Sequence, residues 1–209
     1  MKIGILAVQG DFEAHAATLA RLGVDYVFVR TPGDMHGVDA VILPGGESTT
    51  QWKFLVEEGL DKSLAEHAAK GGAIFGTCAG AILLARDVQN PRQESLGLAD
   101  ISVIRNAYGR QLASEVREGT TEISSEPIEM VFIRAPIIER VGPDTLVLAK
   151  SEGQSVLIRQ KQILIATFHP ELSQHTVVHQ YFVDMVRDGK TAAANNDPRM
   201  DLAGSGKGV

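Results

Sequence analysis

The chain opens on a continuous apolar run, Ile3 to Val8 behind Lys2. A run without polar alternation predicts a strand buried on both faces. Gln9-Gly10-Asp11 breaks it, and Asp11 stands where it can cap a helix over Phe12–Leu22, with Gly23 as the stop. Val24–Val29 predicts a second strand, Thr31-Pro32-Gly33-Asp34 a turn, and Ala40–Leu43 a short buried strand ended by Pro44-Gly45-Gly46. Ser48 or Thr49 then caps a helix carrying Trp52, Phe54 and Leu55, and another helix covers about Asp61–Ala69. Ala73-Ile74-Phe75 returns to strand, and Gly76-Thr77-Cys78-Ala79-Gly80 turns the chain into a helix ending near Ala85. Strands alternating with helices imply an α/β fold, with a mostly parallel sheet covered on both faces.

Beyond Leu96 the pattern changes. Ile101–Arg105, Ile128–Arg134, Thr145–Ala149, Ser155–Arg159 and Gln162–Phe168 all read as strands with little helix between them. The short connection between Ser155–Arg159 and Gln162–Phe168 predicts a hairpin. A helix from about His175 to Arg187 closes the domain. Thr191–Val209, rich in Ala, Asn, Gly and Asp, has almost nothing to bury and reads as a disordered tail. The expected division is therefore one domain over 1–190 and a tail over 191–209, which suits a chain of 209 residues.

Composition narrows the function classes. The net charge of −6 argues against a nucleic-acid partner, which calls for a basic footprint. Cys78 is the single cysteine, which excludes an internal disulfide and a multi-cysteine zinc site and fits a cytoplasmic protein. The longest uncharged run of apolar and small residues, Ala73–Ala85, is far shorter than the roughly 20 residues of a membrane-spanning helix. Nor does the apolar run at the N-terminus have the length or flanks of a signal peptide.

The candidate chemistry centres on Gly76-Thr77-Cys78-Ala79-Gly80. A sharp strand-to-helix turn lifts one side chain clear, and small residues must flank it because strand and helix approach closely there. Cysteine suits the exposed position, since its thiolate is the nucleophile and a helix N-terminus favours that form. A nucleophile needs a base and a group to orient it. His169-Pro170-Glu171 follows an apolar strand, and in extended geometry His169 and Glu171 point the same way, so Glu171 can accept the Nδ1 proton and leave Nε2 for the thiol.

The other histidines carry less. His15 and His67 fall on predicted helices as solvated residues, and His36 in a loop. Glu171, His175 and His179 are spaced four apart, but the helix starts after Glu171, so no metal site is expected. Pro44-Gly45-Gly46-Glu47-Ser48 joins a strand to a helix, and its free N–H groups can meet an anion or a developing oxyanion at Gly46. It matches neither a phosphate loop nor a dinucleotide fingerprint. Arg105 and Arg134 leave strands, and arginine can hold a carboxylate bidentately.

Together these segments resemble the triad glutamine amidotransferases, and among them the glutaminase subunits of pyridoxal phosphate synthase. The resemblance rests on Ile5–Asp11, Pro44–Ser48, Gly76–Gly80, Arg105-Asn106 with Tyr108–Gln111, Phe132–Pro136 and Phe168–Leu172, in order along nearly the whole chain. It implies a Rossmann-like three-layer sandwich and a catalytic triad of Cys78, His169 and Glu171. It implies hydrolysis of L-glutamine through a Cys78 thioester, without metal or organic cofactor. Gly46 and Ala79 would supply the oxyanion N–H groups. Gly46, Glu47, Ser48, Arg105, Ile133 and Arg134 would contact the substrate. Ammonia would pass to a synthase subunit in a hetero-oligomeric complex, and Gln9 would hold the Gly46 region active when that partner docks. The rival readings are a glutaminase of another pathway, a cysteine-elbow peptidase or chaperone, and a non-catalytic module on the same fold. In the second the base usually follows the nucleophile directly, where this chain has Ala79.

Overall fold

The computed structural model describes residues 1–105 and 114–195. The continuous apolar runs become the inner strands of a large sheet. In chain order the elements are β1 (Lys2–Leu6), α1 (Phe12–Arg21), β2 (Asp25–Val29), β3 (Ala40–Leu43), α2 (Ser48–Glu58), α3 (Leu60–Ala69), β4 (Ala73–Thr77) and α4 (Ala79–Leu84). There follow β5 (Ala85–Gln89), β6 (Ala99–Ile104), β7 (Ser114–Thr121), β8 (Ser124–Ile133), β9 (Ile137–Val141), β10 (Leu146–Ser151), β11 (Gln154–Gln160), β12 (Ile163–Ala166) and α5 (Val177–Asn195). Among the described residues nine strands form one sheet, ordered β2-β1-β3-β4-β12-β11-β10-β7-β8, and β5-β6-β9 form a second.

The expected parallel sheet is the half from β2 to β12, where every neighbouring pair runs parallel. From β11 outward the pairing is antiparallel, and β11–β12 is the expected hairpin, with Gln160 opposite Ile163. Successive residues of a strand face opposite sides, so the inner strands feed two cores. Ile3, Ile5 and Phe75 pack with Leu19 of α1 and with Phe182 and Val183 of α5. Val41, Leu43 and Ile74 pack with Leu55, Leu64 and Leu84, and with Ile101 and Val103 of the small sheet. The three layers follow from that alternation.

Several expectations need correction. Neither Ser48 nor Thr49 caps α2. Glu47 does, its carboxylate accepting the N–H groups of Thr49 at 3.2 Å and Thr50 at 2.7 Å. Asp11 occupies the cap position of α1 but makes no side-chain cap bond. The helix after Cys78 ends at Leu84, next to the expected Ala85, but the chain then runs directly into β5. α5 continues through Thr191 to Asn195, against the tail expected from Thr191. Thr191-Ala192-Ala193-Ala194 extends a helix already nucleated, and alanine has the highest helix propensity. The remaining tail, 196–209, and the Asn106 and Tyr108–Gln111 part of the resemblance lie outside the described residues.

The close approach around the cysteine sets the tightest packing constraint. Cys78 joins β4 to α4 with φ 47° and ψ −101°, a left-handed conformation costing about 1–3 kcal/mol in a non-glycine residue. The turn is possible because Gly80 lies against the Leu43 carbonyl and Gly76 against the backbone of Gly80. A Cβ at Gly80 would overlap the Leu43 oxygen, a backbone atom that cannot swing away. Gly80→Ala is therefore expected to destabilise the fold by at least about 2 kcal/mol in urea unfolding. A wild-type midpoint in that variant would contradict the packing described.

Candidate active site

Parallel pairing of β4 with β12 sets Ala166 beside Thr77, so the residues following each strand leave the sheet at the same edge. Cys78 follows β4 directly and donates its N–H to the Ala166 carbonyl at 2.9 Å. Its Sγ lies 3.7 Å from the Ile133 carbonyl. His169 follows β12 and is pinned by its own N–H, which donates to Val131 of β8 at 2.8 Å. Its ring lies beside the Cys78 side chain. On the far side, Nδ1 lies 2.7 Å from Glu171 Oε1. All three side chains are buried. The route to this arrangement differs from the extended one expected. Pro170–Leu172 forms a single 3₁₀ turn, which brings Glu171 back beside the ring.

Burial alone would lower the His169 pKa. The Cys78 and Glu171 hydrogen bonds and charges outweigh it and raise the pKa to about 10. Burial pushes Glu171 up, opposed by its bond to His169. These two shifts pull against each other, because burial penalises the carboxylate charge that supports the imidazolium. The short Nδ1–Oε1 contact decides the arrangement: His169 carries the proton and Glu171 accepts it.

The loop after β3 is held from several sides. Gly45 N–H donates to Thr77 Oγ1 at 3.1 Å, and Gly45 O accepts from the Asp11 N–H at 3.1 Å. Gln51 Nε2 donates to the carbonyls of Gln9 at 2.9 Å and Pro44 at 3.2 Å. Gln9 Oε1 in turn accepts the Glu47 N–H at 2.9 Å. Gly45 packs on the His169 ring and Gly46 on the Gln9 side chain, so a Cβ at either position would overlap what it touches.

A cleft of about 200 Å³ lies over the sulfur. Its walls include Gly46, Glu47, Ser48, Ala79, Arg105, Ile133 and Arg134, together with Cys78 and His169. Glu171 and Gln9 act from behind these walls. Arg105 is not a free fork: its Nη2 donates to Thr49 Oγ1 at 3.1 Å and lies 3.6 Å from Glu47 Oε1. Arg134 sits at φ 46°, immediately after β8. Asp11, Gly45, Ile82 and Pro136 complete the lining and were not among the expected residues.

His15 is fully buried, not solvated as its helix suggested. Its Nδ1 lies 2.9 Å from His179 Nε2, and its Nε2 lies 3.1 Å from Thr77 Oγ1 and 3.6 Å from Glu171 Oε2. The signal was present in spacing, since His15 shares the inward stripe of α1 with Ala16 and Leu19. His179 is likewise buried on α5, and α5 begins only at Val177, so Glu171, His175 and His179 do not share a helix face. Burial holds His179 down to about 3, with the Arg21 charge adding to the effect. Burial also holds His15 well below its ordinary range, helped by His179 and His169. His67 is partly buried, near the Ala73 carbonyl.

Residues 5–188 match the SNO glutamine amidotransferase family. The chain is 49% identical over 191 residues to a protein of Koribacter versatilis named pyridoxal 5'-phosphate synthase subunit PdxT, covering 91% of this chain and 98% of that one. It is 46% identical over 190 residues to the protein of that name from Carboxydothermus hydrogenoformans, covering 90% and 100%. A solved structure described as a glutamine amidotransferase superposes with a TM-score of 0.83 at 41% identity, over 88% of this chain and 98% of the other. The expected α/β fold is shared with it. A glutamine amidotransferase from Thermotoga maritima, at 15% identity and a TM-score of 0.59 over 95% and 86% of the two chains, shares the fold alone. Among the described residues no helix is long and apolar enough to cross a membrane.

The buried histidines make stability depend on pH in both directions. Unfolded His179 protonates below its ordinary 6.5, whereas the folded residue stays neutral to about 3. The unfolded state thus binds more protons as pH falls through this window, and stability drops by about 1.4 kcal/mol per pH unit from this residue. His169 has the opposite sign. Its contribution is complete below 6.5 and is lost as pH rises toward about 10. Urea midpoints measured between about pH 5 and pH 9 should peak near neutrality. His179→Gln should flatten the acid side and His169→Gln the alkaline side, and unchanged slopes would contradict these assignments.

Proposed function

The chain belongs to the SNO glutamine amidotransferase family, and from that premise we propose how its residues carry out the reaction. It is the glutaminase subunit of a pyridoxal 5'-phosphate synthase, feeding vitamin B6 synthesis. The observation that carries the mechanism is the strained elbow at Cys78 with the His169 ring against it and Glu171 2.7 Å behind.

L-Glutamine enters the cleft with its side-chain amide over Cys78. His169 takes the proton of the Cys78 thiol as the sulfur attacks, and Glu171, 2.7 Å from Nδ1, supports the imidazolium that forms. The thiolate attacks the amide carbon, and the oxyanion meets the N–H groups of Gly46 and Ala79. His169 gives its proton to the leaving nitrogen, the C–N bond breaks, and ammonia departs from a thioester on Cys78. Water then attacks the thioester with His169 as base, which releases glutamate and restores the pair. Glu171 keeps the ring oriented throughout. None of these steps calls on a metal or organic cofactor. A thiol that must stay free suits a reducing, cytoplasmic setting.

Arg105 and Arg134 hold the α-carboxylate between them in this reading. Glu47 and Ser48 set the neighbouring wall, and the Ile133 carbonyl fixes the sulfur side. Glu47, half exposed and 3.6 Å from Arg105, can instead take the α-amino group once the guanidinium turns to the carboxylate.

The partner is a synthase subunit that takes up the ammonia within a hetero-oligomeric complex. Hydrolysis without an acceptor wastes ammonia, so docking is expected to switch the glutaminase on. The loop geometry offers the means. Gln9 holds the Glu47 N–H and packs on Gly46, so movement at Gln9 moves the oxyanion peptide directly.

Two measurements test the reading. Cys78→Ala should abolish ammonia release from glutamine while leaving the urea midpoint near that of the wild type, and turnover in that variant would sink the nucleophile assignment. The second compares ammonia release by the free protein, the complex with its synthase partner, and the complex carrying Gln9→Ala. Activation by the partner should be large, since one oxyanion donor is worth about 10²–10³ in rate, and Gln9→Ala should lose most of it. Full activity without partner would contradict the switch, and undiminished activation in Gln9→Ala would remove Gln9 from it.

A further inference from the structure

We propose that His15, with its tautomer set by His179, is a positioning residue that fixes Glu171 and the Gly45 loop as one unit through Thr77. The inference rests on reading Cys78, His169 and Glu171 as the triad.

The hydrogen-bond inventory sets the tautomers. His15 and His179 are fully buried and share one bond, between His15 Nδ1 and His179 Nε2 at 2.9 Å. His179 Nδ1 has no hydrogen-bond partner among the described residues. A buried orphan donor is rarer and costlier than a buried orphan acceptor, so the His179 proton sits on Nε2 and is given to His15 Nδ1. His15 must then carry its own proton on Nε2. That N–H points at Thr77 Oγ1, 3.1 Å away, and at Glu171 Oε2, 3.6 Å away. Glu171 Oε2 is buried and has no hydrogen-bond partner among the described residues, while Oε1 receives His169. In the opposite tautomer Thr77 would donate its hydroxyl proton to His15 Nε2, but that lone pair would face the carboxylate, so the charge of Glu171 decides between the two.

Thr77 Oγ1 sits between the two parts of the site. It accepts the Gly45 N–H at 3.1 Å, in the loop whose Cα packs on the His169 ring and whose next residue is Gly46. One side chain therefore touches the acid of the triad and, through one hydroxyl, the oxyanion loop. Burial keeps His15 neutral, so its Nε2–H bonds Thr77 Oγ1 and turns the positive end of its dipole to Glu171 Oε2, 3.6 Å away, without competing with His169 for the carboxylate charge. The other ionisable groups bearing on this cluster are Cys78 beyond His169, Asp11, whose charge opposes that of Glu171, and Arg21, which acts on His179.

Loss of the His15 donor should weaken the Glu171 carboxylate and, with it, the support of the His169 imidazolium. The test has two arms. In the wild-type protein labelled with ¹⁵N-histidine, His15 should give the signature of a neutral ring protonated at Nε2, and an Nδ1–H or charged ring would overturn the proposal. This arm needs no variant to fold and no glutaminase assay.

The second arm measures steady-state glutaminase kinetics in the complex with the synthase partner, where the wild type against Cys78→Ala first establishes the triad reading independently. His15→Leu should lower kcat by about ten- to a hundredfold, with KM for glutamine within about twofold. The alkaline limb of its pH profile should move to lower pH by about half a unit or more. His15→Gln, whose amide N–H₂ can reach the place of Nε2–H, should recover most of both. A merely structural role would reduce the active fraction without moving the limb. An unmoved limb in active His15→Leu, or a His15→Gln enzyme no better than His15→Leu, would overturn the proposal. Should His15→Leu fail to fold, Thr77→Val carries the test, since it removes the shared hydroxyl and should lower kcat with KM held.

Discussion

A buried carboxylate organises this protein. Glu171 is 5% exposed, and an ionised carboxylate withdrawn from water that far is costly by several kcal/mol unless charge and hydrogen bonds replace the solvent. His169 supplies the charge at 2.7 Å. For that contact to exist, the 3₁₀ turn after β12 must fold back, and His169 must be pinned by Val131 from β8. For the pair to reach the sulfur, β12 must lie beside β4 in parallel, which fixes the centre of the sheet. For the sulfur to point into the cleft, Cys78 must take a left-handed backbone, which Gly76 and Gly80 permit by close packing. Sheet order, elbow and glycines thus answer to one electrostatic requirement.

The two halves of the large sheet divide the work. The parallel half delivers Gln9, the Gly45–Glu47 loop, Cys78 and His169 from the same edge, where ligands bind in open α/β sheets. The antiparallel half, through β8, brings Ile133 and Arg134 over the sulfur from the opposite side, and the small sheet brings Arg105 at the end of β6. The cleft is closed by elements far apart in sequence, which leaves its specificity open to change without disturbing the elbow.

Much of the fold was legible in the sequence because buried parallel strands are uniformly apolar. β1, β3 and β4 announce themselves that way, and the small residues around Cys78 mark the elbow. What escaped had no such signature. β7, Ser114–Thr121, contains one apolar side chain, Val116, and that one is 61% exposed, so nothing in its pattern separates an exposed ribbon from a loop. β5 carries Arg86 and Asp87 on a short edge segment. The cap of α2 was misplaced because a glutamate at Glu47 reaches as far as the usual shorter side chains. Of the candidate site, Cys78, His169, Gly46 and the two arginines were readable from motif and spacing, whereas Asp11, Gly45, Ile82 and Pro136 on the cleft wall were not. Nor were His15, Thr77 and His179, because their roles lie in contacts between α1, β4 and α5 that no local pattern encodes.

The central claim is that Cys78, served by His169 and Glu171, forms the covalent bond to glutamine. The most direct test is labelling of the synthase complex with a diazo-ketone analogue of glutamine, read by peptide mass spectrometry alongside residual glutaminase activity. The account predicts one label per chain, on the peptide containing Cys78, with activity lost in proportion and glutamine protecting against both. Inactivation with Cys78 unlabelled would contradict it.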